Sequence, residues 1–561
     1  MFELNDFPPE LLLTILQYLP LQSLRAMTLL SRGWRNFFAQ HKSVIYKNAA
    51  IFHRFVSHYN VSLGDAREAH DSVLSNNIDD WYTFCNHLFT LHKNWCGDTS
   101  KINIKVFNSP GSSMHVHRLK VDERNGFVIT THDMGGLKVI DSTTEATLWE
   151  LPPTYVRTHA HCEYQNGFLI FDRFGAAKEV WRHYPDYDDS AARLVVQRPD
   201  DDQRGTGARS MESITSDDKR GCFKPWALLE MSQLGGAYRF VYPTLVVASM
   251  STAYLYNVME GKLIQTIEFT PNADDWVVGI NYVEVNDKYV FVCCPDYLRI
   301  YSRSNGENVL CIKSTTISSI RYFDVKESRL ELDGRLRQKH LAALVDFELD
   351  PVFTPTDPVF EFTAVHVCGS NLAVILSDER LVVIRDYESI ITNPQSLSDL
   401  ALQFGIVDPG GFASSRYLAF EYGRIGVVMT SGVFVFTVDS TEHELLHPDG
   451  ERIASVNLSP SLRDTPFPNL IGCQIMPFFD IRFLDEVSCL QMTANKLYAT
   501  FNPEILRIRD LMLRQFRDYA NYLASGESGI EDDVDFYWTK GVTFAARTGA
   551  FDKCVVSVDF S

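Results

Sequence analysis

From residue 101 onward the sequence loses helical periodicity and becomes a succession of short alternating strands that come in pairs. The first member of each pair follows a small or polar turn, opening at Phe127, Phe168, Leu245, Tyr289, Leu372, Ile425 and Leu497. A second alternating strand follows about nine residues later. These second strands are Leu137–Ile140, Lys178–Trp181, Tyr254–Tyr256, Leu298–Tyr301, Leu381–Ile384, Val433–Phe436 and Leu506–Ile508. Pairs that recur at ~40–45 residues, with occasional longer intervals, are the mark of propeller blades: small sheets arranged in a ring, each burying its faces against two neighbours. Seven blades is the expected number, with six or eight compatible. The longest intervals should hold either a degenerate blade or large loops.

The first hundred residues read differently. Asp6 is placed to cap a helix whose first turn holds Pro8 and Pro9, where a missing N–H is harmless. Leu11, Leu12, Ile15, Leu16 and Leu19 then recur at helical spacing until Pro20 stops the run. A second short helix carries Leu24, Met27, Leu30 and Trp34. So small a module has more apolar surface than it can bury within itself, so several of these side chains are expected to seek a partner. Further on, Trp81, Phe84, Leu88, Leu91 and Trp95 share one face of a longer helix.

The opening string resembles the F-box. The residues that carry the likeness are Phe7-Pro8, Glu10, the Leu11–Leu19 helix, Leu24, and Ser31 followed by Trp34-Arg35, with Phe7 standing where that family usually has Leu. The resemblance implies a surface for the Skp adaptor, and through it a cullin, formed by Phe7, Pro8, Leu11, Leu12, Ile15, Leu16, Leu19, Pro20, Leu24, Leu30 and Trp34. The stretch from Trp81 to Asn94-Trp95 and Gly97 looks like the bridging helix of F-box/WD-repeat proteins, which sets the propeller relative to the adaptor. Residues 116–132 and 159–182 resemble fungal F-box proteins with such a propeller, although the blades lack the Gly-His and Trp-Asp signatures. The expected architecture is an N-terminal α-helical F-box at 1–50 and a helical linker at 51–100. An all-β propeller of about seven degenerate blades follows at 101–561, with a long polar insertion near 184–224 that reads as a mobile loop. Ser210, Ser213, Thr215 and Ser216 lie in that insertion as exposed candidates for phosphorylation.

Catalytic chemistry finds little footing. His443-Glu444-Leu445-Leu446-His447 matches the zincin motif to the letter, and Gly450 also fits, but Ile453 stands where a third His would be needed. Pro448-Asp449-Gly450 would break the required helix. The repeat puts the motif in the outermost strand of a blade, where residues four apart lie ~13 Å from each other, too far to share a zinc with ~2.1 Å bonds. His159, His161 and Cys162 begin a blade strand and read as core or surface groups. No phosphate loop, dinucleotide fingerprint or nucleophile elbow occurs. A propeller enzyme would need inward-facing acids, histidines or metal ligands repeated from blade to blade, and no such set is evident. No catalytic residue, cofactor or metal is expected.

Net charge is −19, which argues against a nucleic-acid partner. Eleven cysteines, without a C-x-x-C pair, suit a reduced compartment. An acidic start in place of a basic leader, and the absence of a ~20-residue apolar run, give an intracellular expectation, cytoplasmic, nuclear or both, with no membrane partner. The function expected is the substrate-recognition subunit of a Skp–cullin–F-box ubiquitin ligase, non-catalytic, binding an unidentified target protein. The alternative is an adaptor-bound scaffold outside any cullin ligase.

Overall fold

A computed structural model describes residues 7–53, 55–56, 58–69, 78–95, 103–107, 115–173, 177–214, 218–231, 235–269, 279–317, 320, 322–327, 342–347, 361–378, 380–405, 417–429, 432–438, 444–446, 452–455, 470–475, 487–501 and 554–560. Six helices come first: α1 (Pro9–Leu16), α2 (Leu21–Leu30), α3 (Arg32–Gln40), α4 (Lys42–Phe52), α5 (Leu63–Ala69) and α6 (Trp81–Trp95). The cap of α1 is Pro8, with Pro9 inside the first turn, and Asp6 lies outside the described residues. No described helix is long and apolar enough to cross a membrane.

Seven blades follow, each with four antiparallel strands running from an inner to an outer strand, and the sheet of blade 5 is extended to six strands. The inner strands, in order, are Val116–Asp122, Cys162–Gln165, Tyr238–Val241, Tyr282–Val285, Phe362–Cys368, Tyr417–Glu421 and Leu490–Met492. Neighbouring inner strands touch in cyclic order, and that of blade 7 reaches that of blade 1, so the ring is closed. All seven sequence anchors fall within one residue of the start of the second strand of a blade.

The blades adhere through buried apolar clusters between neighbours. Trp149, Phe171, Trp181 and Phe223 join blades 1 and 2, while Val246, Leu255, Val283 and Val290 join blades 3 and 4. Ile375, Phe404, Ile425 and Phe436 join blades 5 and 6. Closure uses Phe107, Leu119, Val128, Tyr498 and Val555. Alternation explains this pattern: successive side chains of a strand point to opposite faces, and here both faces meet a neighbouring sheet.

Three expectations need correction. The sequence sets Leu506–Ile508 beside the strand opened by Leu497, but that strand, Lys496–Phe501, pairs instead with Cys554–Asp559, and the outer place is taken by Asn103–Phe107. Blade 7 is thus completed by a strand from the start of the propeller. Leu506–Ile508 itself lies outside the described residues.

The zincin-like motif is not in the outermost strand of blade 6, which is Leu470–Ile475. Glu444–Leu446 forms a separate two-stranded hairpin with Arg452–Ser455, and His443 and His447 lie outside the described residues. The long interval before blade 5 holds a further hairpin, Tyr322–Glu327 with Ala342–Phe347. It extends that blade through a parallel pairing with Ala401–Gly405.

The polar insertion is largely ordered. It contains α7 (Asp189–Ala192) and α8 (Asp201–Glu212), and α8 lies against the outer strands of blades 1 and 2. Composition misleads here because α8 is held largely by polar groups, with Met211 and Ile214 packed beside them on the cluster of blades 1 and 2. Asp200 caps it by accepting from the Gln203 N–H at 2.8 Å, and Arg173 grips the same carboxylate at 2.6 Å. The Gln203 amide donates to the Val180 and Ala227 carbonyls. Trp149 Nε1 donates to Ser210 Oγ at 3.0 Å. Gly207 lets the helix approach closely, since a Cβ there would stand 2.8 Å from the Pro225 ring. Ser210 is therefore buried, Ser213 is exposed, and Thr215 and Ser216 lie outside the described residues.

Candidate functional site

Helix α1 is short, and its two faces differ. Leu12 and Leu16 turn inward at 7% and 2% exposure, whereas Leu11 and Ile15, one helical turn apart, stand out at 53% and 55%. Phe7 (43%) precedes them, and Leu29 and Leu30 at the end of α2 are 74% and 70% exposed. Ser31 caps α3 by accepting from the Trp34 N–H, and Trp34 lies edge-on to Phe37, half-buried. The residues singled out in the sequence therefore divide. Phe7, Pro8, Leu11, Ile15 and Leu30 face outward; Leu12, Leu16 and Leu24 are core; Leu19, Pro20 and Trp34 are partly covered. Leu29 was missed, because the spacing Leu24, Met27, Leu30 passes over it, although both leucines at the end of α2 are exposed.

The same helices share a core with the propeller. Leu16, Leu21, Leu24, Phe38, Ile45, Phe84 and Trp95 belong to one buried cluster with Leu490, Met492, Leu497 and Val556 of blade 7 and Val433 and Val435 of blade 6. Helix α6 makes the joint. Trp95 Nε1 donates to the Ala494 carbonyl at 2.9 Å, in the turn between the inner and second strands of blade 7. Arg424 of blade 6 covers the Trp95 indole at 4.5 Å.

A family model for the F-box domain matches residues 4–46, the stretch that carries this outward apolar face. Residues 4–46 are an F-box domain. The described strands from Asn103 onward form a seven-bladed β-propeller. No curated protein matches the chain. Among solved structures it is similar to the β-propeller domain of Cps50 (Swd1) from Myceliophteria thermophila, with 10% identity and a TM-score of 0.41 over 71% of this chain and 96% of that one. It is also similar to U3-55K, with 8% identity and a TM-score of 0.40 over 71% of this chain and 91% of that one. BamB from Moraxella catarrhalis matches with 9% identity and a TM-score of 0.34, over 69% and 82%.

Beyond the F-box, the propeller axis holds a set of groups that the sequence did not reveal. In every blade, one inner-strand residue pairs with the third residue of the second strand. In blade order these are Lys120, Glu163, Arg239, Glu284, His366, Ala419 and Gln491. The first four form a chain of ion pairs around the axis, and His366 joins it through its ring nitrogens. Lys120 Nζ meets Glu163 at 2.8 Å, and Arg239 bridges Glu163 at 3.4 Å and Glu284 at 3.1 Å. His366 Nδ1 meets Glu284 at 2.8 Å, and its Nε2 lies 3.2 Å from the Tyr282 hydroxyl.

Burial would push both carboxylates up. For Glu163 the neighbouring Lys120 and Arg239 more than offset it and hold the acid well below its ordinary range; Arg239 and His366 hold Glu284 down in the same way. Burial does prevail at Glu421, which is pushed up although it accepts the Met492 N–H at 2.9 Å. The only hint of this ring in the sequence was one polar residue at a matching place in successive inner strands, and it looks like the solvent face of an ordinary alternating strand. Among the described residues no group of three or more His, Cys, Asp or Glu is arranged to hold a metal.

Proposed function

We propose that this chain is the substrate-recognition subunit of a Skp–cullin–F-box ubiquitin ligase. The observation that carries the reading is the outward apolar face of the F-box, formed by Phe7, Leu11, Ile15, Leu29 and Leu30, on helices whose inner face is fused to the propeller core. An exposed apolar cluster on so small a module is the signature of an interface. In this reading Phe7, Pro8, Leu11, Ile15, Leu29 and Leu30 meet the Skp adaptor, while Leu12, Leu16 and Leu24 keep the helices in shape behind them. The propeller holds the target protein. The chain itself makes and breaks no bond; it raises the local concentration of target near the ubiquitin-loaded conjugating enzyme. The shared core suits that task, because a rigid joint fixes the distance between the two bound proteins.

The test is affinity capture from cells treated with a proteasome inhibitor, comparing the intact chain with the Leu11→Asp/Ile15→Asp double variant. The adaptor and cullin should be lost with the variant, and targets should be retained and should accumulate. A variant that keeps the adaptor sinks the F-box assignment. An intact chain that captures adaptor but no cullin, and leaves its partners' lifetimes unchanged, favours the scaffold. Point variants are cleaner than removal of residues 1–40, which would also strip Leu16, Leu21, Leu24 and Phe38 from the core shared with blades 6 and 7.

A further inference from the structure

The ion-pair ring runs through blades 1 to 5 and breaks at blades 6 and 7, where its positions are held by Ala419 and Gln491. Beside the break, on the inner strand of blade 1, stands Arg118. Its Nη1 donates to the carbonyls of Ser488, which precedes the inner strand of blade 7, and His117. Its guanidinium lies 5.8 Å from the ring centre of Tyr417 on the inner strand of blade 6. Arg118 thus sits where the strands of blades 1, 7 and 6 meet.

No acidic side chain pairs with Arg118 among the described residues, and its Nε is buried without a hydrogen bond. The other polar groups at the break are also incompletely used. The Gln491 side-chain oxygen is buried without a partner, and rotation of that amide by 180° places its NH2, a donor, at the same point. The Tyr417 hydroxyl has only the weak contact with Cys489 Sγ at 3.6 Å, a thiol whose one proton also faces the Leu119 carbonyl at 3.6 Å. The ion pairs point the same way: Lys120 and Arg239 share Glu163 and Glu284, and Arg118 beside them is in none of these pairs. A largely enclosed guanidinium without a counter-charge is costly, and its planar fork of donors matches the oxygens of a tetrahedral or planar oxyanion.

We infer that the break in the ring is an anion site, in which Arg118, the Tyr417 hydroxyl and the Gln491 amide bind one free oxyanion of phosphate or carboxylate type. The ion-paired ring of blades 1 to 5 walls the rest of the axis, so the site takes a small free ion rather than a polypeptide side chain. The bound ion ties blade 1 to blades 6 and 7, across the seam where the propeller closes. This assignment is independent of the F-box reading.

The experiment titrates the full-length chain with inorganic phosphate at constant ionic strength, with chloride as the balancing salt. Expected are a saturable rise in Tm of a few degrees, as binding to the folded state alone requires (about 2–4 °C for each kcal/mol in domains of ~150–250 residues), and one phosphate per chain by calorimetric titration. Arg118→Gln should lose both. Arg157→Gln, which alters an arginine paired with Asp172 outside the ring, should lose neither. Should Arg118→Gln fail to fold, Gln491→Glu supplies an internal carboxylate to Arg118 and should give a folded chain whose Tm no longer responds to phosphate. The inference is overturned by a wild-type chain without saturable binding, by equal binding in Arg118→Gln, by a Tm that climbs without limit in every salt, or by binding of an acidic peptide with no response to phosphate.

Discussion

The indole of Trp95 stacks on the ring of Phe560 with centroids 3.9 Å apart and 23° between their planes, and the neighbouring Asn94 amide donates to the Phe560 carbonyl at 2.6 Å. Two residues more than four hundred positions apart thus close the joint between helices and propeller. Stacking, a covering guanidinium and two hydrogen bonds to backbone carbonyls make that joint directional as well as apolar.

Trp95→Ala should therefore cost about 3–5 kcal/mol, the range for emptying a large aromatic from a core. Urea unfolding should show a lower midpoint, with helical signal lost before the propeller melts. A variant that unfolds in one transition at the wild-type midpoint would show that the joint contributes nothing.

The two faces of α1 should respond differently. Leu16→Ala removes a core side chain at 2% exposure and should destabilise by ~2–5 kcal/mol. Leu11→Asp with Ile15→Asp changes outward positions, so Tm should move little while adaptor capture is abolished. Pull-down and thermal unfolding on the same preparations separate the two effects.

Ser210 should behave as a core residue rather than as a regulatory one. It accepts from Trp149 Nε1 and donates to the Gly207 carbonyl at 2.9 Å. Ser210→Ala leaves a buried indole N–H unpaired, at a cost of about 1–3 kcal/mol. Ser210→Asp should be worse, because it buries a charge beside Trp149. Thermal unfolding of the two variants checks the order.

Glu179 gives the fold a pH dependence near neutrality. Burial raises its carboxyl from 4.5 to about 7, against hydrogen bonds from Tyr155 (2.6 Å) and Trp181 (2.7 Å). The folded state therefore holds the proton more tightly than the unfolded chain. The contribution is fully present below about pH 4.5 and is lost as pH rises through 7. Its size is on the order of 3 kcal/mol. Glu179→Gln should flatten the slope of stability between pH 5 and 8, as read from denaturation midpoints, and should be the more stable form at pH 8.

The second strands of the blades were legible because they are short, apolar and preceded by turns. Phe127–His132 and Phe168–Asp172 begin where alternation and turn residues put them. The partner of Lys496–Phe501 was not legible, since local alternation favours Leu506–Ile508, while the true neighbour is chosen by closure of a ring. Helix α8 was hidden by its own chemistry: Asp200, Gln203 and Ser210 read as solvated, yet each is consumed by a specific hydrogen bond. In the F-box, spacing identified the helix and its apolar residues, but only packing against blades 6 and 7 decided that Leu16 points in and Ile15 points out.

The pairing of Asn103–Phe107 with Cys554–Asp559 also sets an order of events during synthesis. The strand that opens the propeller leaves the ribosome early and has no neighbour on that edge until the third strand of its blade has been made. At roughly 5–20 residues per second that wait lasts on the order of half a minute or longer, and the loop then closed is among the longest the chain offers. Throughout it, α1 to α6 are complete, but their seat on Ala494 and Phe560 does not yet exist. An adaptor that met the nascent chain would find the F-box before the propeller had shape, and would cover its apolar side chains through the interval in which they are most prone to aggregate.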